Sequence, residues 1–416
     1  MTAPASPPDT ALTLPPAMAL RKAMGGRDAH EAHRTSTPLE LLFDLSAVVA
    51  VAAAVGLLHH GLAAGEPLGP VLWTLVQAFF YVWWPWMSYT WFASAYDTDD
   101  VAFRLATLLQ MSGVLLIAVG LQQGHQGEVA AAVGFGLMRL TLVVQWWRAS
   151  REDLARRATC LRYAGAIGVI QLLWLARAWA APEAWSPPLF VLLMLLEMAV
   201  PVWAARSGDT PWHAHHIAER YGLLTLILLG ECVMAAVNAM AGVIQARGWS
   251  VSLVGVALGI VGLLMTLWWA YFLVPFPQVL HQRRERAFVW GYGHAIVFAA
   301  LVALGAGLEL VADALAAGGQ GERHVASASL AIAWTAVSVV LFMGSLWWLG
   351  GHTTRRLARS PVYLLPVLVG AVAAVGVVWL WRAWPAGLLL LGAGPALMIA
   401  WITRDRHLQP ERFAVR

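Results

Sequence analysis

Runs of about 20 apolar residues recur along almost the whole chain, separated by short polar stretches. Each run is long enough to cross the roughly 30 Å hydrocarbon core of a bilayer as a helix. They fall near residues 38–60, 69–95, 101–122, 128–147, 158–180, 187–205, 216–243, 249–274, 286–311, 325–349, 361–381 and 386–403. The pattern predicts an all-α, polytopic membrane protein of about twelve transmembrane helices. Helices are the expected form because lipid offers the backbone no hydrogen-bond partners. Only Arg382, Ala383, Trp384 and Pro385 separate the last two runs, which predicts a tight helical hairpin.

The two halves of the pattern look alike. Glu40-Leu-Leu-Phe-Asp-Leu opens the first span and Glu219-Arg-Tyr-Gly-Leu-Leu opens the seventh. Aromatic clusters end the second span, around Trp83, Trp84 and Trp86, and the eighth, around Trp268, Trp269 and Tyr271. Six spans is an even number, so two parallel six-helix repeats are expected, over 36–206 and 207–404. The flanks are read as a disordered N-terminal tail, 1–35, and a short C-terminal tail, 405–416. No apolar segment precedes a cleavage site at the start of the chain, so no signal peptide is read.

Composition fits this picture. Sixty per cent of the residues are hydrophobic and 12% are charged, about half the charge of a soluble chain. Cys160 and Cys232 are the only cysteines, which excludes a disulfide framework. The net charge of +4 is no nucleic-acid signal, because the basic residues sit in short loops. With the N-terminus inside, 22 of the 27 basic residues fall on the cytoplasmic side. Arg177, Arg247, Arg323 and Arg382 fall outside, and Arg139 lies within a span. This asymmetry places both termini on the cytoplasmic side of the membrane. Tryptophans near the span ends, such as Trp146, Trp147, Trp179 and Trp249, read as interfacial belts.

Charged residues inside the spans are the candidate chemistry, since an ionised group in hydrocarbon costs several kcal/mol and needs a partner or a wet cavity. Asp44 lies one to two turns into the first span and shares a face with Glu40. Depth counting puts Arg139, Glu197 and Glu231 at one level near the midplane, where a buried network is expected. Asn238 shares a face with Glu231. The network reads as a structural salt bridge between helices, as a conduction or protonation site, or, third, as a neutral hydrogen-bonded glutamate. His294, a turn or two inside the ninth span, is a proton-relay candidate. Glu40, Asp97, Asp99, Asp100, Arg104, Glu219 and Arg220 are expected at a cytoplasmic mouth. There the aspartates either attract cations or cap the third span. His213, His215 and His216 lack a zinc spacing, so neither a metal nor a cofactor is expected. His59 and His60 read as interfacial.

Several segments resemble the bacterial low-temperature-requirement A family of multi-pass membrane proteins. They are 37–45 (TPLELLFDL); 89–92 (YTWF) with 97–100 (DTDD), Phe103 and Arg104; 216–231 (HIAERYGLLTLILLGE); 268–272 (WWAYF); and 292–294 (YGH) with 307–309 (GLE). Where the family pattern continues with an aspartate, this chain has Leu273. The resemblance implies a bacterial inner-membrane protein and leaves the activity open.

The expected function is a transporter or channel for an unidentified small solute or ion, using the buried carboxylates. The alternatives are a non-catalytic role in membrane adaptation or assembly, and a membrane-embedded enzyme built on Asp97, Asp99, Asp100, His213 and His216. The expected partners are the lipid bilayer and that solute, with no nucleic acid and with room for a homo-oligomer.

Overall fold

The computed structural model describes residues 19–29, 31, 34–317, 322–353 and 360–408. Residues 1–18, the arginines at 355, 356 and 359, and residues 409–416 lie outside the described part. Among the described residues the chain is helical, with no strand.

Local chemistry sets the helix starts. In α1 (Pro38–Ala63) the Thr37 hydroxyl accepts from the Glu40 N–H, and the Glu40 carboxylate accepts from the Thr37 N–H at 2.9 Å. This capping box satisfies backbone donors that the helix leaves bare. Proline at the first helical position fits because its missing N–H is not needed there. α2 (Leu68–Tyr96) runs back and ends at Asp97. Asp100 caps α3 (Val101–Gln122) by accepting from the Phe103 N–H at 2.8 Å. Then follow α4 (Glu128–Glu152), α5 (Arg157–Ala180) and α6 (Ser186–Ala205). His213 caps α7 (Ala214–Arg247), which Gly248 closes at φ 76°. Ser250 caps α8 (Val251–Phe272). The short α9 (Phe276–Gln282) turns the chain into α10 (Ala287–Ala317), α11 (Glu322–Thr353), α12 (Leu365–Trp381) and α13 (Trp384–Leu408). α12 and α13 form the expected tight hairpin, turned by Arg382 in the left-handed region at φ 53°.

Among the described residues, eleven helical segments are long and apolar enough to cross a membrane. α2 is a twelfth helix of sufficient length, at 29 residues. Its tryptophans and tyrosines lower its hydropathy. It needs less lipid compatibility because its second half is buried in protein. The fold is that of a polytopic membrane protein.

α10 is the central helix. Its apolar span is 78% buried, against 28% for the spans containing α6 and α12. It packs on α1, α7 and α11. α1 in turn packs on α2, α3 and α7, so α1, α7 and α10 join the two halves. Small residues allow the closest approaches. A Cβ at Gly134 of α4 would stand 2.4 Å from the Gly113 carbonyl of α3, so neither position has room for a side chain.

The chain before α1 is not loose where it is described. Residues 19–29 lie along the arginine-rich end of the bundle as a strap, and Met24 is fully buried. Ala19 accepts from the Val101 N–H, the Lys22 N–H donates to Asp100 at 2.7 Å, and the Arg27 N–H donates to the Ala95 carbonyl. The Met24 N–H and the Arg21 guanidinium both reach the Glu152 carboxylate. Composition suggested disorder because it does not register these fixed backbone partners. Arg34 then donates to the last carbonyls of α2, Ala93 and Ser94, where a helix is electronegative.

Candidate functional site

Two charge clusters lie inside the bundle, on opposite faces of α2. Trp84 and Trp86 are two residues apart, hence about 200° apart around the helix. The Trp86 indole N–H donates to Asp44 at 2.7 Å. The Trp84 indole N–H donates to Glu197 at 3.1 Å.

The first cluster ties α1 to α7. Arg220 donates to both Asp44 oxygens, at 2.6 and 3.0 Å. Its third nitrogen stands 3.0 Å from Glu40 Oε1, an ion-pair contact off hydrogen-bond alignment. His216 reaches the same carboxylate at 3.1 Å. Glu40, His216 and Arg220 have no exposed surface, and Asp44 is 1% exposed. Arg220 is therefore not a mouth residue. It lies in the second turn of α7 and points into α1. Glu219, its neighbour, is half-buried and accepts from the Ser36 N–H. This cluster lines no cavity described below and acts as a clamp between the halves.

The second cluster is the pair that depth counting expects near the midplane. Arg139 of α4 donates through Nη2 to Glu197 of α6. Arg139 is 1% exposed and Glu197 fully enclosed. Nε and Nη1 of Arg139, and Oε1 of Glu197, have no hydrogen-bond partner within the described protein. Glu231 is not part of this pair. It is half-buried on α7 and feels the charge of Glu309 on α10. Glu309 and Asp313 flank His59, at 3.2 and 2.7 Å, near the far end of α1. Asn238 is exposed. His294 is fully buried, with its ring nitrogens bound to the Trp290 carbonyl at 2.8 Å and the Tyr271 hydroxyl at 3.2 Å. Among the described residues its hydrogen-bond partners are a carbonyl and a hydroxyl, neither of them a carboxylate.

The three loop aspartates do not share a mouth. Asp97 accepts from the Asp99 N–H, with its other oxygen buried and unpartnered. Burial, with the nearby Glu40 charge, pushes its carboxyl up to about 6. Asp99 pairs with Arg104 at 2.8 Å. Burial alone would raise the Asp100 carboxyl, but hydrogen bonds from Arg148, Lys22 and Phe103 hold it below the usual range. The histidines that an enzyme reading would gather here point elsewhere, His213 to the Glu31 carbonyl and His216 to Glu40. No group of three or more His, Cys, Asp or Glu among the described residues could hold a metal.

Two cavities share walls on α2, α4 and α5, the larger reaching also to α1 and α3. One, of about 90 Å³, lies toward the arginine-rich end, between residues 84–91 of α2, 139–146 of α4, 159–167 of α5 and 200–205 of α6, with α10 closing its side. The other, of about 790 Å³, lies toward the opposite end, between residues 71–81, 128–140 and 171–181 of α2, α4 and α5, with Glu183 and Ser186 at the start of α6. Arg139 lines the smaller one. Between them sit Phe80, Trp84, Phe135, Trp174 and Phe190, with ring centroids 5.1–6.2 Å apart. The larger cavity's deep wall carries Gln171 Oε1 and Trp174 Nε1, both buried and unpartnered. Gln171 and Trp174 carry no mark in the sequence reading, and Trp84 enters it only within an aromatic cluster. The available signal was a glutamine in an otherwise apolar run.

A polytopic helical bundle with a charged pair and an aromatic layer between two cavities defines a membrane protein with a polar interior. The chain belongs to the bacterial low temperature requirement A (LtrA) family, whose model matches residues 35–401. It is also similar to an uncharacterized protein of Rhizobium meliloti (strain 1021), 22% identical over 362 residues, covering 81% of this chain and 82% of that one.

Proposed function

We propose that this protein is a transporter or channel for a small solute or ion in the bacterial cytoplasmic membrane. On this reading the arginine-rich loops and both ends of the chain face the cytoplasm, as the basic asymmetry favours. The pathway runs through the first half, between α2, α4, α5 and α6.

One observation carries the reading. Two cavities share walls on α2, α4 and α5, and the Arg139–Glu197–Trp84 contact with its aromatic layer stands at their junction. A purely structural salt bridge needs no cavity on either side. Residues lining both spaces, Arg139 in one and Gln171 and Trp174 in the other, carry buried polar atoms without a partner. The serial packing of the halves supports a duplicated six-helix unit. The order α1–α3, α3–α4, α4–α5, α5–α6 parallels α7–α10, α10–α11, α11–α12, α12–α13.

Flux into proteoliposomes, screened across small ions and solutes, tests the reading. A carried solute should show altered flux in Trp84→Ala, which opens the layer. Its flux should be unchanged in Glu231→Gln, since Glu231 lines neither cavity. Flux that depends on Glu231 and ignores Trp84 would overturn the assigned route.

A further inference from the structure

Resting on the pathway just described, we propose that the cavity at the arginine-rich end binds a small anion, of which a short carboxylate fits best, through the guanidinium of Arg139.

Size limits the occupant. The cavity measures about 90 Å³, room for a ligand of only a few non-hydrogen atoms. Lipids, isoprenoids and nucleotides are too large.

Donor chemistry then selects the charge. Arg139 is almost fully enclosed, yet only one of its nitrogens is engaged, by Glu197. An enclosed donor on a charged group without an acceptor is costly. A guanidinium fork matches the two oxygens of a carboxylate. Arg284 adds a second positive group. It stacks on Trp212 at 3.8 Å, and both residues line the cavity. Asp209 is the one acidic residue among the described lining residues. The remaining wall is largely aromatic, and ring edges carry the positive end of the quadrupole. Glu197 offsets part of Arg139's charge, so binding is weak and reversible. A path needs that balance, since a solute must enter and also leave. A cation advancing to this level meets the Arg139 guanidinium and is repelled.

The test is equilibrium dialysis of radiolabelled acetate against the purified full-length protein in detergent, with rubidium and glycerol as cationic and neutral comparators. Acetate should bind saturably and the comparators should not. Arg139→Gln combined with Glu197→Gln, which removes both charges together, should weaken acetate at least tenfold. Ala205→Leu fills the same cavity while leaving both charges in place, and should abolish binding with the melting temperature retained. Absence of saturable acetate binding to folded wild type overturns the proposal, as does undiminished binding in the charge variant. Should that variant not fold, undiminished binding to Ala205→Leu overturns it instead. Flux separates the two readings. Acetate binding without acetate flux keeps this site and overturns the transport role. Flux of rubidium or glycerol without acetate binding keeps the pathway and overturns this site.

Discussion

Removing one member of an enclosed ion pair leaves the other charged and dry, which costs about 3–5 kcal/mol. Arg139→Gln alone should therefore destabilise the bundle by about that amount. Adding Glu197→Gln should recover most of it, because no lone charge remains. Thermal melting of the three proteins in one detergent decides it, and non-additivity is the expected signature. Asp97 gives a pH prediction with a definite sign. Its carboxyl holds its proton to about pH 6 in the fold and to roughly 3.9 when unfolded. The folded state thus binds more protons between those values. The stability linked to this proton is full below about pH 4 and is lost as pH rises through about 6, on the order of 3 kcal/mol in all. Asp97→Asn keeps the turn hydrogen bond and should flatten that slope in a series of melting curves from pH 4 to 7. The charged residues themselves were legible from the sequence, and Arg139 does pair with Glu197. Counting gives height but not the direction a side chain points around its helix. Glu231 is only half-buried, beside the buried face formed by Leu228, Cys232 and Ala235. Arg220 failed the opposite way. It was placed at a mouth because α7 was expected to begin at 216, and two more residues of helix carry it inside.

At the scale of elements, α2 does the most positioning. It supplies an indole donor to each charge cluster and lines both cavities, and its low hydropathy follows from being surrounded by protein. The α3–α4 contact is set by Gly113 and Gly134. Gly134→Val cannot be accommodated without moving a backbone, and should cost about 1–3 kcal/mol, read as a lower melting temperature. Gly165→Ala on α5, where an added Cβ meets nothing, is the control and should be neutral or better. The strap makes a further prediction. Glu152 accepts from both Arg21 and the Met24 N–H, so Glu152→Ala should release this segment. Trypsin should then cut at Arg21 or Lys22 several-fold faster than in the wild type. Equal cleavage rates would show that the other strap contacts suffice. Element positions were readable because hydrophobic run length is a strong signal. The strap was not, because its order comes from partners far along the chain, Asp100 and Glu152.

At the scale of the molecule, the question is whether the two cavities open to opposite sides. Gln77 and Ser88 stand on the same helix, eleven residues or roughly 16 Å apart along its axis. Gln77 lines the larger cavity and Ser88 the smaller. Cys160 and Cys232 are buried at 0% and 1% exposure, so the native protein gives little background to a thiol reagent. Gln77→Cys should react with a membrane-impermeant reagent added outside intact cells. Ser88→Cys should react only in inverted vesicles, where the arginine-rich face is presented. The aromatic layer of Phe80, Trp84, Phe135, Trp174 and Phe190 is what keeps the two sets of reactivities apart. Trp84→Ala should therefore let Ser88→Cys react from outside as well. If both cysteines label from one side in the parent protein, the cavities belong to one vestibule and the barrier lies elsewhere. If neither labels from outside, the larger cavity is closed at its mouth, and Glu66 and Glu183, which line it near the ends of α1 and α6, become the next positions to open.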